Sequence, residues 1–277
     1  MVIRQEPFKI IVAGKGGVGK TTVSASLAIM LAKRGHRVVA LDTDSVPNLA
    51  LSLGIPPEEA SRITPLVENT ELVEERTGAR PGGGWGLLFT LTPRVDDILD
   101  RYGVEARHGV RLVVVGGITK PGEGCLCPSI ALAKAFLAHV FRSFEGVVIV
   151  DSEAGAEVFG RGLAEYFDLM VAVSEPTVRS LSITRRLIEL ARGLSVKRFV
   201  VLLNKVKDEL AAKKLYEKVM GDLGVPVFTA PYDPVLEEYE SRGLSVADLP
   251  DDSELFLALS SLVSYIESLV KGEGRRV

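Results

Sequence analysis

The sequence predicts an α/β fold: a doubly wound, mainly parallel sheet flanked by helices. Three observations support this fold class. Short β-rich apolar runs alternate with segments of helical periodicity along the chain, which is the order of βα units. Most of the runs are continuously apolar, as strands covered by helices on both faces require. Polar clusters follow nearly every run, and open α/β sheets bind ligands beyond the carboxyl ends of their strands.

The elements can be assigned in chain order. Eight runs are predicted strands, at residues 10–13, 38–41, 87–91, 112–115, 147–150, 169–173, 199–203 and 225–230. Five segments are predicted helices, at residues 22–34, 129–142, 178–192, 208–223 and 253–271, and residues 65–77 are a further candidate. The last helix carries apolar residues at helical spacing, which favours packing on the core over membrane attachment. We therefore expect one domain over residues 1–277, with an irregular insert around 54–84.

The amino-acid composition argues against several classes of function. With 47% hydrophobic and 25% charged residues, the 277-residue chain has the balance of a globular protein with a large core. A net charge of −3 argues against a surface that coats nucleic acid. Residues 1–6 lack the apolar core of a secretory leader, so we expect none, and we expect no apolar run long enough to span a bilayer. These features favour a cytoplasmic protein with neither nucleic acid nor membrane as partner.

A glycine-rich loop directly follows the first predicted strand. It consists of Gly14, Lys15, Gly16, Gly17, Val18, Gly19, Lys20, Thr21 and Thr22, and it fits the phosphate-loop pattern G-x-x-x-x-G-K-[ST]. The glycines let successive backbone N–H groups surround a phosphate chain, while Lys20 supplies charge and Thr21 a hydroxyl for Mg²⁺. Asp151 ends an apolar strand, as the magnesium-binding carboxylate beside such loops does. The sequence therefore predicts a nucleoside triphosphate site.

Lys15 distinguishes this loop from simpler phosphate loops. The form Gly-Lys-Gly-Gly-x-Gly-Lys-Thr resembles the deviant Walker A loop of the P-loop ATPase superfamily that contains MinD, ParA and the nitrogenase iron protein. The resemblance implies a homodimer in which Lys15 reaches the partner's bound phosphates and stabilises the transferred phosphoryl group. It also implies that Asp44 orients the attacking water, with Asp42 as a supporting carboxylate of the magnesium site. Without the loop, Asp42 and Asp44 would indicate only a strand-end turn.

The choice of base rests on the segment after the seventh predicted strand. Asn204 and Lys205 begin like the guanine-reading Asn-Lys-x-Asp motif, but Lys207 stands where the aspartate would be. Guanine would then leave buried donors unpaired, so the sequence favours ATP. By resemblance to the related ATPases, the asparagine and the loop after the last strand hold adenine. That assigns Asn204 and Lys205, with Pro231, Tyr232 and Asp233, to the nucleotide site.

Both cysteines of the chain, Cys125 and Cys127, lie just before the helix predicted at 129–142. Their short separation disfavours a mutual disulfide. Two thiolates do not complete a four-coordinate Zn²⁺ or Ni²⁺ site, but a twofold dimer would bring four together. The simpler alternative is a pair of reduced cysteines with no ligand.

Four motifs together resemble the CooC family: Gly-x-Gly-Cys-x-Cys-Pro at 122–128, Asp-Ser-Glu-Ala-Gly at 151–155, Ser-Glu-Pro-Thr at 174–177 and Pro-Tyr-Asp at 231–233. These are nickel-insertion ATPases that mature carbon monoxide dehydrogenase. The resemblance implies a dimer that uses ATP and Mg²⁺ and shares a transition metal, Ni²⁺ or Zn²⁺, through Cys125 and Cys127. It also implies a client metalloenzyme such as carbon monoxide dehydrogenase. The segment after Asp44 departs from the family pattern, because its motif is displaced around Pro47.

Two other classes of function share the same ATPase core. One is a positioning or partition ATPase like MinD and ParA, which gives the cysteines no role. The other is an ATPase like the nitrogenase iron protein, whose dimer would hold an iron–sulfur cluster with the same four thiolates.

Overall fold

A computed structural model describes residues 6–82, 88–117, 127–152 and 164–273. Within these ranges eight strands form one sheet. In chain order they are β1 (Phe8–Gly14), β2 (Val38–Asp42), β3 (Val104–Glu105), β4 (Arg111–Val114), β5 (Val147–Asp151), β6 (Leu169–Ser174), β7 (Phe199–Val206) and β8 (Val227–Pro231). Their spatial order is β3-β4-β2-β5-β1-β6-β7-β8. The pairs are parallel except for β3 with β4. The predicted α/β fold class is thus confirmed.

Helices cover the sheet on both faces. In chain order they are α1 (Lys20–Lys33), α2 (Leu49–Ser52), α3 (Pro57–Ala60), α4 (Thr70–Thr77), α5 (Ile98–Tyr102), α6 (Cys127–Ser143), α7 (Val178–Gly193), α8 (Glu209–Met220), α9 (Pro234–Ser241) and α10 (Glu254–Glu273). Helices α1, α2 and α10 contribute to the core on one face. Helices α4, α6, α7 and α8 contribute to the core on the other face.

The apolar runs of the sequence explain why two cores form. In β1, Ile10 and Val12 join one core, whereas Ile11 and Ala13 join the other. All four side chains are completely buried. Because consecutive side chains of a strand point to opposite faces, a strand that is apolar at every position needs helices on both sides.

The sheet order brings the predicted site residues to one edge. Strand β1 lies between β5 and β6, and β2 lies beside β5. The register pairs Val12 with Asp151, and Asp42 with the same Asp151. The end of β1, where the glycine-rich loop begins, therefore lies next to two carboxylates from distant parts of the chain.

The strand predicted at 87–91 is wrong for the residues that the structure describes. Residue 87 lies outside the described ranges, and residues 88–91 form no strand. The Thr90 N–H donates to the carbonyl oxygen of Thr77 at the end of α4, at 2.8 Å, so this backbone is bonded to a helix end. Leu88 and Leu91 are 96% and 73% exposed, so neither side chain belongs to the core of the described residues. An apolar run alone could not distinguish this loop from a strand.

The helix predicted at 65–77 begins later, at Thr70. The N–H groups of Leu66 and Val67 donate to the carbonyls of Val114 and Val115, at 3.0 and 3.1 Å. That backbone therefore extends along the end of β4, and the side chain of Asn69 caps the helix that follows.

The short strand β3 and the helix α9 are absent from the elements that the sequence predicted. Strand β3 has two residues, so it carries no periodicity that a pattern could detect. Helix α9 has eight residues and none of them is fully buried, so its apolar pattern, with Leu236 and Tyr239 against the core, is short and weak.

By length and composition, Glu254–Gly272 of α10 could cross a membrane, which corrects the expectation that no such run exists. In the structure its apolar face belongs to the core with α1. The buried members are Leu255, Phe256, Leu259, Leu262, Val263 and Ile266. The interpretation of α10 as a packing helix agrees with this arrangement.

Candidate functional site

The glycine-rich loop joins β1 to α1 over residues 15–19. A Cβ at Gly14 would lie 2.2 Å from the carbonyl oxygen of Val173 in β6, so only glycine allows this approach of the two strands. Gly17 and Gly19 adopt positive φ angles of 80° and 93°, which L-amino acids with side chains rarely take. The sequence requires glycine here for close packing at the start of the loop and for backbone curvature within it.

The two lysines of the loop have different surroundings. Lys20 begins α1 and is only 9% exposed, and its Nζ donates to the Lys15 carbonyl oxygen at 3.4 Å. Its ammonium is therefore held over the inside of the loop. Lys15 is half-buried, and among the described residues its side chain has no recorded hydrogen bond or ion pair. One lysine serves the loop itself, while the other is available to a group outside it.

Asp151 ends β5 beside the start of α1. It is 2% exposed, and one carboxylate oxygen accepts a hydrogen bond from the Ser24 hydroxyl at 2.9 Å. Burial raises the pKa of Asp151, and hydrogen bonds from Thr21 and Ser24 together with the charge of Lys20 partly offset that rise. The sequence analysis missed Ser24, although its position three residues after Thr21 on α1 places both hydroxyls on one helix face.

Asp42 is completely buried, and its carboxylate accepts backbone hydrogen bonds. Oδ2 accepts from the N–H groups of Asn48 and Leu49, at 3.0 and 2.9 Å, and Oδ1 accepts from that of Asp44 at 3.1 Å. Burial raises the pKa of Asp42 to about 7, with the bond from Leu49 opposing the rise and the charge of Asp151 adding to it. Asp42 thus holds the segment after β2 in place.

Asp44 is half-buried and lines the cavity beside the loop. The hydroxyl of Thr21 and the carboxylates of Asp44 and Asp151 form a set of oxygen donors, which is the set that Mg²⁺ prefers. A cation here would also relieve the cost of burying Asp151 as an anion. These three residues fit a magnesium ion. Both carboxylate oxygens of Asp42 accept backbone N–H bonds, whereas among the described contacts of Asp44 only Oδ1 does so, from Val46 at 3.0 Å.

A cavity of about 500 Å³ extends from the loop to the carboxyl ends of β7 and β8. Its lining includes every residue that the sequence assigned to the base end of the nucleotide site: Asn204, Lys205, Pro231, Tyr232 and Asp233. The cavity is also lined by Leu236, Glu237 and Glu240 of α9, which the sequence analysis missed because it did not predict this helix. The structure therefore brings these segments together, although they are far apart in the chain.

Within this cavity, polar contacts fix three of the predicted residues. The Asn204 amide donates to the Val18 carbonyl oxygen at 2.9 Å, and Lys205 Nζ donates to the Gly17 carbonyl oxygen at 2.8 Å. The Asp233 carboxylate accepts from the Val235 N–H at 2.9 Å and so caps α9. The end of β7 is consequently bonded to the loop itself.

The structure describes only one of the two cysteines. Cys125 lies outside the described residues, and Cys127 is exposed at the first residue of α6. In the described ranges, no group of three or more His, Cys, Asp or Glu residues is arranged to hold a metal ion. Metal binding by the cysteines stays a prediction.

Comparisons with known proteins agree with this fold and with nucleotide binding. A family profile described as the CobQ/CobB/MinD/ParA nucleotide binding domain matches residues 9–246. The chain is 38% identical to the carbon monoxide dehydrogenase accessory protein CooC of Rhodospirillum rubrum, over 87% of this chain and 90% of that protein. It is also 38% identical to the uncharacterized ATP-binding protein MJ0823 of Methanocaldococcus jannaschii, over 95% and 98% of the two chains.

Among solved structures, a ParA family ATPase from Chlorobium tepidum superposes with a TM-score of 0.69 over 95% of this chain and all of that one. At 18% identity, this likeness supports the fold and no more.

Proposed function

This chain belongs to the CobQ/CobB/MinD/ParA family of nucleotide-binding proteins, and on that premise we propose that it is a dimeric ATPase that loads or releases a transition metal. The metal is nickel, and the client is a metalloenzyme such as carbon monoxide dehydrogenase. The observation that carries the proposal is the likeness to the accessory protein CooC along most of both chains. The Cys125 and Cys127 pair supports it, because a positioning ATPase has no evident use for two thiols.

The nucleotide part of the proposal assigns roles to the residues around the loop. Lys20 and the loop N–H groups bind the phosphates of ATP, and Asn204 with residues 231–233 borders the base. Thr21 and Asp151 hold Mg²⁺, which neutralises charge on the β- and γ-phosphates when it is bound. Asp44 orients the water that attacks the γ-phosphate. Asp42 acts indirectly, because it holds the segment that carries Asp44.

The dimer part of the proposal rests on Lys15. Its ammonium has no recorded partner in the described part of its own chain, and the charge that develops on the transferred phosphoryl group needs a cation. Two chains that meet with their loops facing each other exchange Lys15 side chains across the interface. Each active site is then completed by the other copy.

The metal part of the proposal follows from ligand number. Cys125 and Cys127 of two chains supply four thiolates, which is enough for a four-coordinate site, whereas one chain supplies two. If the closed dimer binds metal more tightly than the open one, hydrolysis and opening release the metal to the client. Coupling of this kind requires that the metal and ATP prefer the same state of the dimer.

The test replaces both cysteines by serine, C125S with C127S. We expect the parent protein to bind close to one Ni²⁺ or Zn²⁺ per dimer, and the double variant to bind none while it keeps its affinity for ATP. Elemental analysis and gel filtration without nucleotide, with ADP and with a nonhydrolysable ATP analogue give the readout. His139→Ala is the control, since a lone histidine of α6 is an adventitious metal ligand at most.

Stoichiometric metal in the double variant would refute the cysteine site. Visible absorbance of protein prepared without oxygen would instead indicate an iron–sulfur cluster.

A further inference from the structure

Two consecutive residues at the end of β7, Asn204 and Lys205, both bond the phosphate loop. They donate to the consecutive carbonyl oxygens of Val18 and Gly17, at 2.9 and 2.8 Å. In a regular strand, neighbouring side chains point to opposite faces, so both could not reach one loop. The pairing of β7 with β8 shifts register between Leu203 and Val206, which marks a bulge at these two residues. The bulge turns both side chains toward the loop.

This arrangement leaves the backbone of Lys205 in a strained conformation. Its φ angle is 58°, in the left-handed region that a residue with a long side chain avoids unless its surroundings require it. Lysine has no local hydrogen bond to offer in that conformation, as asparagine or aspartate would have. The strained backbone is therefore explained by the contacts that it allows the Lys205 ammonium group to make.

Those contacts include an ion pair with a carboxylate that follows the end of a third strand, β6. Glu175 follows β6, and its Oε1 lies 3.2 Å from Lys205 Nζ. Glu175 is itself fixed, because its N–H donates to Ser180 Oγ at 3.1 Å and its carbonyl accepts from Ser174 Oγ at 3.0 Å. A carboxylate anchored at the start of α7 thus holds the ammonium against the loop.

We infer that Lys205, held by Glu175, is a positioning residue that sets the phosphate loop for its ligand rather than a residue that contacts the base. A trans peptide directs its C=O and N–H in opposite directions. With the Gly17 and Val18 carbonyls drawn toward the end of β7, the N–H groups of Val18 and Gly19 point away from it, toward the phosphates. This inference rests on the proposed nucleotide binding and gives a specific role to Lys205, which the sequence assigned to the nucleotide site without one.

A simple surface ion pair would not position the phosphate loop, because exposed ion pairs contribute little to the stability of the structure. The chain offers a matched example in Lys213 and Glu209 of α8, whose Nζ and Oε1 lie 2.6 Å apart. The lysine side chains of the two pairs are similarly exposed, at 44% for Lys205 and 51% for Lys213. The Lys213 pair differs in that it touches no part of the loop.

The experiment compares Lys205→Met, Lys205→Arg, Glu175→Gln and the control Lys213→Met. Binding of Mg·ADP is measured by titration, and hydrogen exchange of the Val18 and Gly19 amides is measured without nucleotide. Loss of a charged donor to a carbonyl predicts about tenfold weaker binding in Lys205→Met. We expect Lys205→Arg to restore affinity to within about threefold, Glu175→Gln to show a smaller loss, and Lys213→Met to match the parent.

We call the ordering of the phosphate loop by Lys205 and Glu175 the clamp. The exchange measurement distinguishes this clamp from direct contact of Lys205 with the nucleotide. Faster exchange of the two loop amides in nucleotide-free Lys205→Met, but not in Lys213→Met, supports the clamp. Equal exchange and equal affinity in these two variants would overturn it. If the parent protein binds no nucleotide, the proposed function fails, and the exchange comparison still decides whether Lys205 orders the loop.

Discussion

At the scale of single residues, the two lysines of the phosphate loop lie in different environments. Lys15 and Lys20 belong to the same loop, yet Lys20 is buried against it and Lys15 has no recorded partner among the described residues. A buried ammonium inside a loop of N–H groups binds a phosphate already in the ground state. In the proposed dimer, Lys15 contributes only when the second chain closes.

We therefore predict different kinetic effects for the two lysines. Lys20→Ala should weaken ATP binding by at least about tenfold, because it removes a charge-assisted contact. Lys15→Ala should keep ATP affinity within about threefold and lower kcat by about a thousandfold, as loss of a trans-acting cation does. Equilibrium binding and steady-state hydrolysis measure both quantities. Lys214→Ala, an exposed lysine of α8, is the control, and a Lys15→Ala enzyme of normal kcat would contradict the trans role.

At the scale of elements, local patterns predicted the long strands and helices well. Helix α7 was predicted at 178–192 and spans Val178–Gly193, and the strand predicted at 147–150 spans Val147–Asp151. The two wrong assignments, at 65–69 and 88–91, share one cause, since Leu66, Val67 and Thr90 donate backbone hydrogen bonds to other elements. Such partners are absent from the local sequence.

The contact of β1 with β6 gives a prediction at this scale. Gly14→Ala places a methyl group against the Val173 carbonyl, and since two paired strands of the core cannot separate freely, the free energy of unfolding should fall by about 2–3 kcal/mol. At Gly16 a Cβ meets nothing within 4 Å, so Gly16→Ala should change stability by less than about 1 kcal/mol.

Urea unfolding of the nucleotide-free proteins measures the difference between the two alanine variants. Both remove a glycine from the same motif, but only at Gly14 does the new methyl group meet the Val173 carbonyl, on a backbone whose φ is 158°. Equal stabilities for the two variants would show that β1 and β6 are less closely packed than described.

At the scale of the whole molecule, the packing of helix α10 bears on the choice between a positioning ATPase and the metal-loading function. Its length and composition would suit a membrane, but its apolar face is part of the core that α1 shares. Arg34, at the end of α1, adds hydrogen bonds to Ser260, Ser264 and Glu267 of α10. Releasing this helix to lipid would expose the face of the sheet beneath it.

We therefore predict that the protein does not bind vesicles in either nucleotide state. In a flotation assay with vesicles rich in anionic lipid, it should stay in the lipid-free fractions with ADP and with an ATP analogue. Vesicles of neutral lipid provide the comparison that separates charge-driven adsorption from insertion. Flotation that depends on the ATP analogue would favour a positioning ATPase over the metal-loading function.

The sequence by itself determined the fold class, the phosphate loop and the family, because apolar runs and the glycine pattern are properties of contiguous residues. It also named the segments that line the cavity, since parallel strands end at one edge of a sheet. Only the tertiary structure decided how those segments act on each other. Asn204 and Lys205 bond residues 186 and 188 positions away, and a register shift in β7 directs them there. No local pattern encodes that shift, because it depends on how β7 pairs with β8, a strand from a later part of the chain.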